Sequence, residues 1–127
     1  MRCGCIDHKT YLGMLAEIIS RVTRTPGRLV QTLAESSFDA WTKFYKQDEN
    51  APNALISYYA KGALVALALD LRIRLASAGA QSLDDVMRAL WTRHGRTGAG
   101  VGERGIEALA MEVTGLDLSA FFATALD

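Results

Sequence analysis

From Ile56 to about Ala78 the chain reads ISYYAKGALVALALDLRIRLASA, a stretch of helical composition with no polar face through its middle. A helix that is apolar nearly all round demands that other elements surround it. The segment is therefore the expected hub of an all-α domain, and the remaining residues must supply the helices that cover it. No stretch of the chain alternates with period two, so no strand is predicted.

The flanking segments read as those partners. Tyr11, Leu12, Leu15, Ile18, Ile19 and Val22 share one face of a helix that starts at Asp7 or Thr10 and ends at Pro26-Gly27. A second helix is predicted from Ser36 or Ser37, either of which can cap it, with Phe38, Trp41, Phe44 and Tyr45 mostly on one side. Lys46 to Ala54 has the polar, Pro- and Asn-containing chemistry of a surface loop. Gly79 is placed to end the hub, and Ser82 with Asp85 resembles a capping box for a helix whose buried stripe is Leu83, Val86, Met87, Leu90 and Trp91. After the glycine-rich Gly95 to Gly105, Ile106 to Val113 marks another helix, stopped by Gly115. A last short one follows with Asp117 or Ser119 as its cap. The expectation is a single domain over 1–127, one bundle of five or six helices around a central apolar helix of about 56–78.

Composition excludes several classes. Fourteen cationic and fourteen anionic side chains cancel, leaving no field to draw in a nucleic acid. Ala63 to Leu71 is broken by Asp70 and followed by Arg72 and Arg74, short of the roughly 20 apolar residues that span a bilayer, so no membrane is expected. The N-terminus carries no apolar stretch of signal-peptide length, which implies a cytoplasmic protein if the start is genuine. Cys3 and Cys5 are too close in sequence to staple a fold, and free thiols are expected.

Few residues carry chemistry. Cys3, Cys5 and His8 are borderline metal ligands, but C-x-C-x-x-H is no strong zinc signature and lacks a fourth ligand. His94 closes a helix and reads as a partner of its dipole. Asp70, alone in an apolar helix, requires a partner, and Arg74 four residues on supplies one. Ser36 and Ser37 have no G-x-S-x-G setting, and the glycines form neither a P-loop nor a dinucleotide fingerprint. Tyr58, Tyr59 and Lys61 at the mouth of the hub are, taken alone, the amphipathic edge of a core.

Several separated motifs recur together, however: SSFDAW, FY, DEN, PN and ISYYAKGALVALALDLRIR, then SLDDVMRALW and TGLDLSAFF, with RCGCIDHKTYLGMLAEIISRVTRTPGR before them. In this order they resemble the C-terminal part of the catalytic domain in the glycyl aminopeptidases, metallopeptidase family sixty-one of the gluzincin clan. The resemblance implies a fold like the C-terminal helical lobe of a thermolysin-type peptidase. Tyr59-Ala60-Lys61-Gly62 matches the Y-x-K-G element of the clan, whose tyrosine donates a hydrogen bond to the oxyanion of the tetrahedral intermediate. The resemblance thus assigns that role to Tyr59, with Tyr58 as the alternative, and leaves Lys61 and Gly62 structural, Gly62 permitting close helix packing.

Members of the family bind zinc through H-E-x-x-H and a downstream glutamate, and this sequence contains no H-E-x-x-H. The family's β-rich N-terminal domain and PDZ domain have no counterpart in it either. The resemblance therefore implies one wall of a substrate cleft, a partial catalytic domain that holds no cofactor, takes a peptide substrate only within a complete enzyme, and is inactive alone. A helical interaction module that self-associates through the exposed apolar cleft face is the competing expectation.

Overall fold

The computed structural model describes residues 4–127, among which the chain is all-α with no strand. The α-helices of the described residues are α1 (His8–Arg24), α2 (Leu33–Phe38), α3 (Ala51–Ala54), α4 (Tyr58–Ala76), α5 (Leu83–Leu90), α6 (Gly105–Thr114) and α7 (Ser119–Leu126). Helix α3 stands where the sequence suggests only loop, its first turn favoured by Pro52. The chain divides into two compact units, the first ending at Leu64 and the second spanning Val65–Asp127, so the boundary falls inside α4.

In the first unit Asp7 caps α1 by accepting the Thr10 N–H at 2.7 Å. Val22 is the buried residue of α1 and packs with Ile56 and Ala60, flanked by Ile18 and Leu64. Pro26 closes α1 and opens a 3-10 turn, Pro26–Leu29, in which Gly27 is buried. Helix α2 begins earlier than either serine suggests. Thr32 and Glu35 form a reciprocal capping box, so Ser36 and Ser37 lie inside the helix and cap nothing. Four residues before Ser36, Thr32 already satisfies the first orphan N–H groups, and the helix has no reason to wait. After Phe38 the chain widens into a π-helical turn, Ala40–Phe44, closed by the Tyr45 N–H on the Ala40 carbonyl at 3.0 Å.

In the second unit α4 contributes Leu69 and Ile73 to a core completed by Val86, Leu109, Ala110, Leu118 and Phe122. Burial on every side of α4 is not achieved: Leu71 is half exposed and Leu75 is 83% exposed. Units of this size have too little chain to cover a helix all round, and apolar side chains are left facing water. Within Ala51–Ala76 an 18-residue window with a mean hydropathy of 1.4 is also long and apolar enough to cross a membrane, which the count from Ala63 to Leu71 underestimates; a core helix of a soluble protein passes the same test, so length excludes nothing here.

The Ser82–Asp85 capping box forms as the sequence predicts, and Gly115 ends α6 at a φ of +68°. Asp117 rather than Ser119 accepts at the start of α7, taking the Ser119 N–H at 3.0 Å. Asp70 is buried and binds Arg74 Nε at 2.8 Å through one oxygen, as the spacing implies. Its other oxygen accepts the Leu83 N–H at 2.8 Å, tying α4 to the first residue of α5. Replacing Asp70 with Ala strands that N–H and is expected to cost about 2 kcal/mol. Arg74→Ala, which removes a cation that is 40% exposed, should cost less than about 1 kcal/mol. Urea denaturation of the two variants checks the ranking, and equal losses would show that the ion pair, not the cap, is what Asp70 provides.

Candidate functional site

The tyrosines flagged by the sequence sit at the start of α4 in the first unit. Ser57 caps that start, its Oγ accepting the Ala60 N–H at 3.3 Å and its carbonyl the Lys61 N–H at 2.9 Å. The preceding residue is held twice. Gln31 Oε1 accepts the Ile56 N–H at 3.0 Å, and the buried Ser36 hydroxyl donates to the Ile56 carbonyl. Lys61 Nζ donates to the Gln31 carbonyl at 3.2 Å, closing a loop of side-chain to backbone bonds around the entry to α4. Burial pulls the Lys61 ammonium below the ordinary lysine value, with Glu35 opposing. Lys61 is thus structural. A methyl at Gly62 would meet only Leu33 Cδ1, at 3.9 Å, so close packing does not require that glycine.

Both tyrosine hydroxyls meet a third that the sequence does not single out. Tyr45, the residue that closes the π-helical turn, places its hydroxyl 3.1 Å from that of Tyr58 and 3.2 Å from that of Tyr59. Phe44 stands edge-on to Tyr45 and Tyr58 at 5.4 and 5.5 Å, and the Tyr58 and Tyr59 rings lie 4.2 Å apart. Tyr58 is half-buried, whereas Tyr59 is 63% exposed. The hydrogen bond with Tyr45, then the Tyr59 hydroxyl, push the Tyr58 phenol above the usual tyrosine value; the bond with Tyr45, then Tyr58, hold Tyr59 below it. Beside this cluster a cavity of about 220 Å³ is lined by Phe44, Ser57 and Ala60 together with Val22, Leu55 and Arg21.

The other sequence candidates lie apart from this site. Cys3 is outside the described residues, while Cys5 and His8 are exposed around the start of α1. In the second unit His94 lies in a π-helical turn, Trp91–Gly95, with Nδ1 3.1 Å from the Gly100 carbonyl, an acceptor only, so Nδ1 donates and fastens the glycine-rich loop. Among the described residues no group of three or more His, Cys, Asp or Glu side chains is arranged to hold a metal ion. The described residues therefore do not fit a zinc centre, which needs three or four such donors.

The sequence profile of the M61 glycyl aminopeptidases matches residues 1–65, half of the 127. The chain belongs to this family. Within the M61 match lie the Y-x-K-G element, the aromatic cluster and the Gln31 and Ser36 bonds, and the match ends one residue past the boundary of the first unit. The likeness to the family read in SLDDVMRALW and TGLDLSAFF falls outside the matched residues. No curated protein and no solved structure matches the chain.

Tyr45, Gln31 and Ser36 escape sequence reasoning for one cause. Each acts across 13 to 25 residues of chain. The only local hint is that Ser36 follows an S/T-x-x-E box at Thr32–Glu35, which leaves it without a capping duty.

Proposed function

We propose that this peptidase-family chain is the helical wall of the substrate cleft in a glycyl aminopeptidase-like metallopeptidase of the gluzincin type, a hydrolase in its complete form. Tyr59 presents its hydroxyl to the oxyanion that forms when the scissile carbonyl becomes tetrahedral. The observation that carries this reading is an exposed phenol whose helix entry is fixed by bonds from Gln31 and Ser36 to Ile56. A donor aimed before the reaction starts costs no reorganisation as charge develops, which is the main source of such stabilisation. Tyr58, half-buried, is the less available hydroxyl.

The substrate by family resemblance is a peptide with glycine or alanine at its N-terminus. The catalytic zinc and the base that activates water belong to residues other than those described, so this chain contributes positioning and an oxyanion donor. Its isolated form is expected to show no turnover of Gly- or Ala-terminated peptides when zinc is added. Chelator-sensitive hydrolysis by the pure chain would overturn this division of labour.

A further inference from the structure

We propose that Tyr45 is the positioning residue of a three-phenol relay, donating its hydroxyl hydrogen to the Tyr59 oxygen so that the hydroxyl of Tyr59 is left to donate outward to an anionic oxygen. The inference rests on the reading of Tyr59 as an outward donor for its purpose, but not for its geometry.

Each phenol has one hydrogen to donate and an oxygen that can accept. The Tyr45 oxygen lies within bonding distance of both others, at 3.1 Å from Tyr58 and 3.2 Å from Tyr59. Three hydrogens serve two links, so a chain running in one direction leaves one hydrogen over at its end. Running Tyr58 to Tyr45 to Tyr59 leaves it on the 63% exposed ring. The reverse order leaves it on Tyr58, which is half-buried and packed between Phe44 and Tyr59. Exposure selects the first order. Hydrogen bonds in a directed chain polarise one another, so the terminal donor is strengthened.

The acidities agree with that direction, since the terminal donor is held below the ordinary tyrosine value and the first donor above it. Tyr45 and Tyr58 are the titratable groups acting on Tyr59; no charged side chain contributes to its shift. Of the neighbouring lysines, Lys43 pairs with Asp39 at 2.6 Å and Lys61 with the Gln31 carbonyl. Tyr45 itself is fixed by its N–H on Ala40 and by Trp41, whose ring centre is 5.1 Å away.

The test is an ultraviolet titration of phenolate in the whole chain, which has only four tyrosines. One phenol should ionise below the ordinary range of about 10 and vanish in Tyr59→Phe. Tyr45→Phe should move that midpoint up toward the ordinary value, with thermal unfolding recorded to verify the fold. Tyr58→Phe should move it in the same direction by less, because Tyr45 still donates, and serves alone if Tyr45→Phe does not fold. A Tyr59 midpoint unchanged in the folded variants would overturn the relay. If the midpoint moves as expected while a peptidase carrying this wall is insensitive to Tyr59→Phe, the relay stands and the oxyanion role falls.

Discussion

Gly27→Ala should destabilise the first unit by about 3 kcal/mol, near the upper end for forcing extra atoms into packed structure. Gly27 has an ordinary φ, so its role is spatial rather than conformational. A Cβ built there would overlap the Leu55 carbonyl oxygen and stand 2.6 Å from the Leu55 carbonyl carbon. Both are backbone atoms and cannot swing aside as a flexible side chain does. Nor can Gly27 retreat easily, since its carbonyl accepts the Val30 and Gln31 N–H groups at 3.1 and 2.9 Å. Relief must come from displacing Leu55, and the next residue is Ile56, whose N–H and carbonyl are held by Gln31 and Ser36. Gly13→Ala is the control. It lies within α1 with nothing within 4 Å of its built Cβ, so it should be neutral or stabilising by up to about 1 kcal/mol. Chemical denaturation of the two variants decides, and equal stability would show that the Gly27–Leu55 contact yields without cost.

The same contact shows what the sequence conceals. Pro26-Gly27 is recognisable as the end of α1, because a missing N–H and a residue without Cβ are local properties. That the glycine is also required by a backbone 28 positions away is invisible until the chain is folded. Caps at Asp7 and Ser82, the stop at Gly115 and the Asp70–Arg74 pair are legible for the same local cause, each involving residues within four positions. The second bond of Asp70, to Leu83, is not. Around the candidate site the apolar remainder of α4 and the tyrosine pair are readable. The Tyr45 hydroxyl that joins the pair is not, since the helix expected through Phe38 to Tyr45 gives way to a wider turn that redirects the rings. Trp41 and Phe38, read as one side of a helix, are left largely exposed.

The oxyanion role proposed for Tyr59 carries the largest expected functional effect. Loss of one preorganised oxyanion donor lowers turnover by roughly 10²- to 10³-fold, about 3–4 kcal/mol of barrier. Tyr59→Phe keeps the ring, its 4.2 Å packing on Tyr58 and the fold, and deletes only the oxygen. The effect should therefore fall on kcat rather than on KM, because an oxyanion exists only in the transition state and the intermediate. Tyr58→Phe, which removes the half-buried hydroxyl, should reduce turnover far less.

The most direct measurement places residues 4–64 behind the zinc-bearing segment of an active M61 glycyl aminopeptidase, in place of that enzyme's own equivalent stretch, and compares hydrolysis of a Gly-terminated peptide by the chimera and by its Tyr59→Phe form. A kcat loss of roughly 10²-fold or more with KM little changed is the predicted result. Equal kcat in the two proteins would contradict the assignment of Tyr59 as the oxyanion donor.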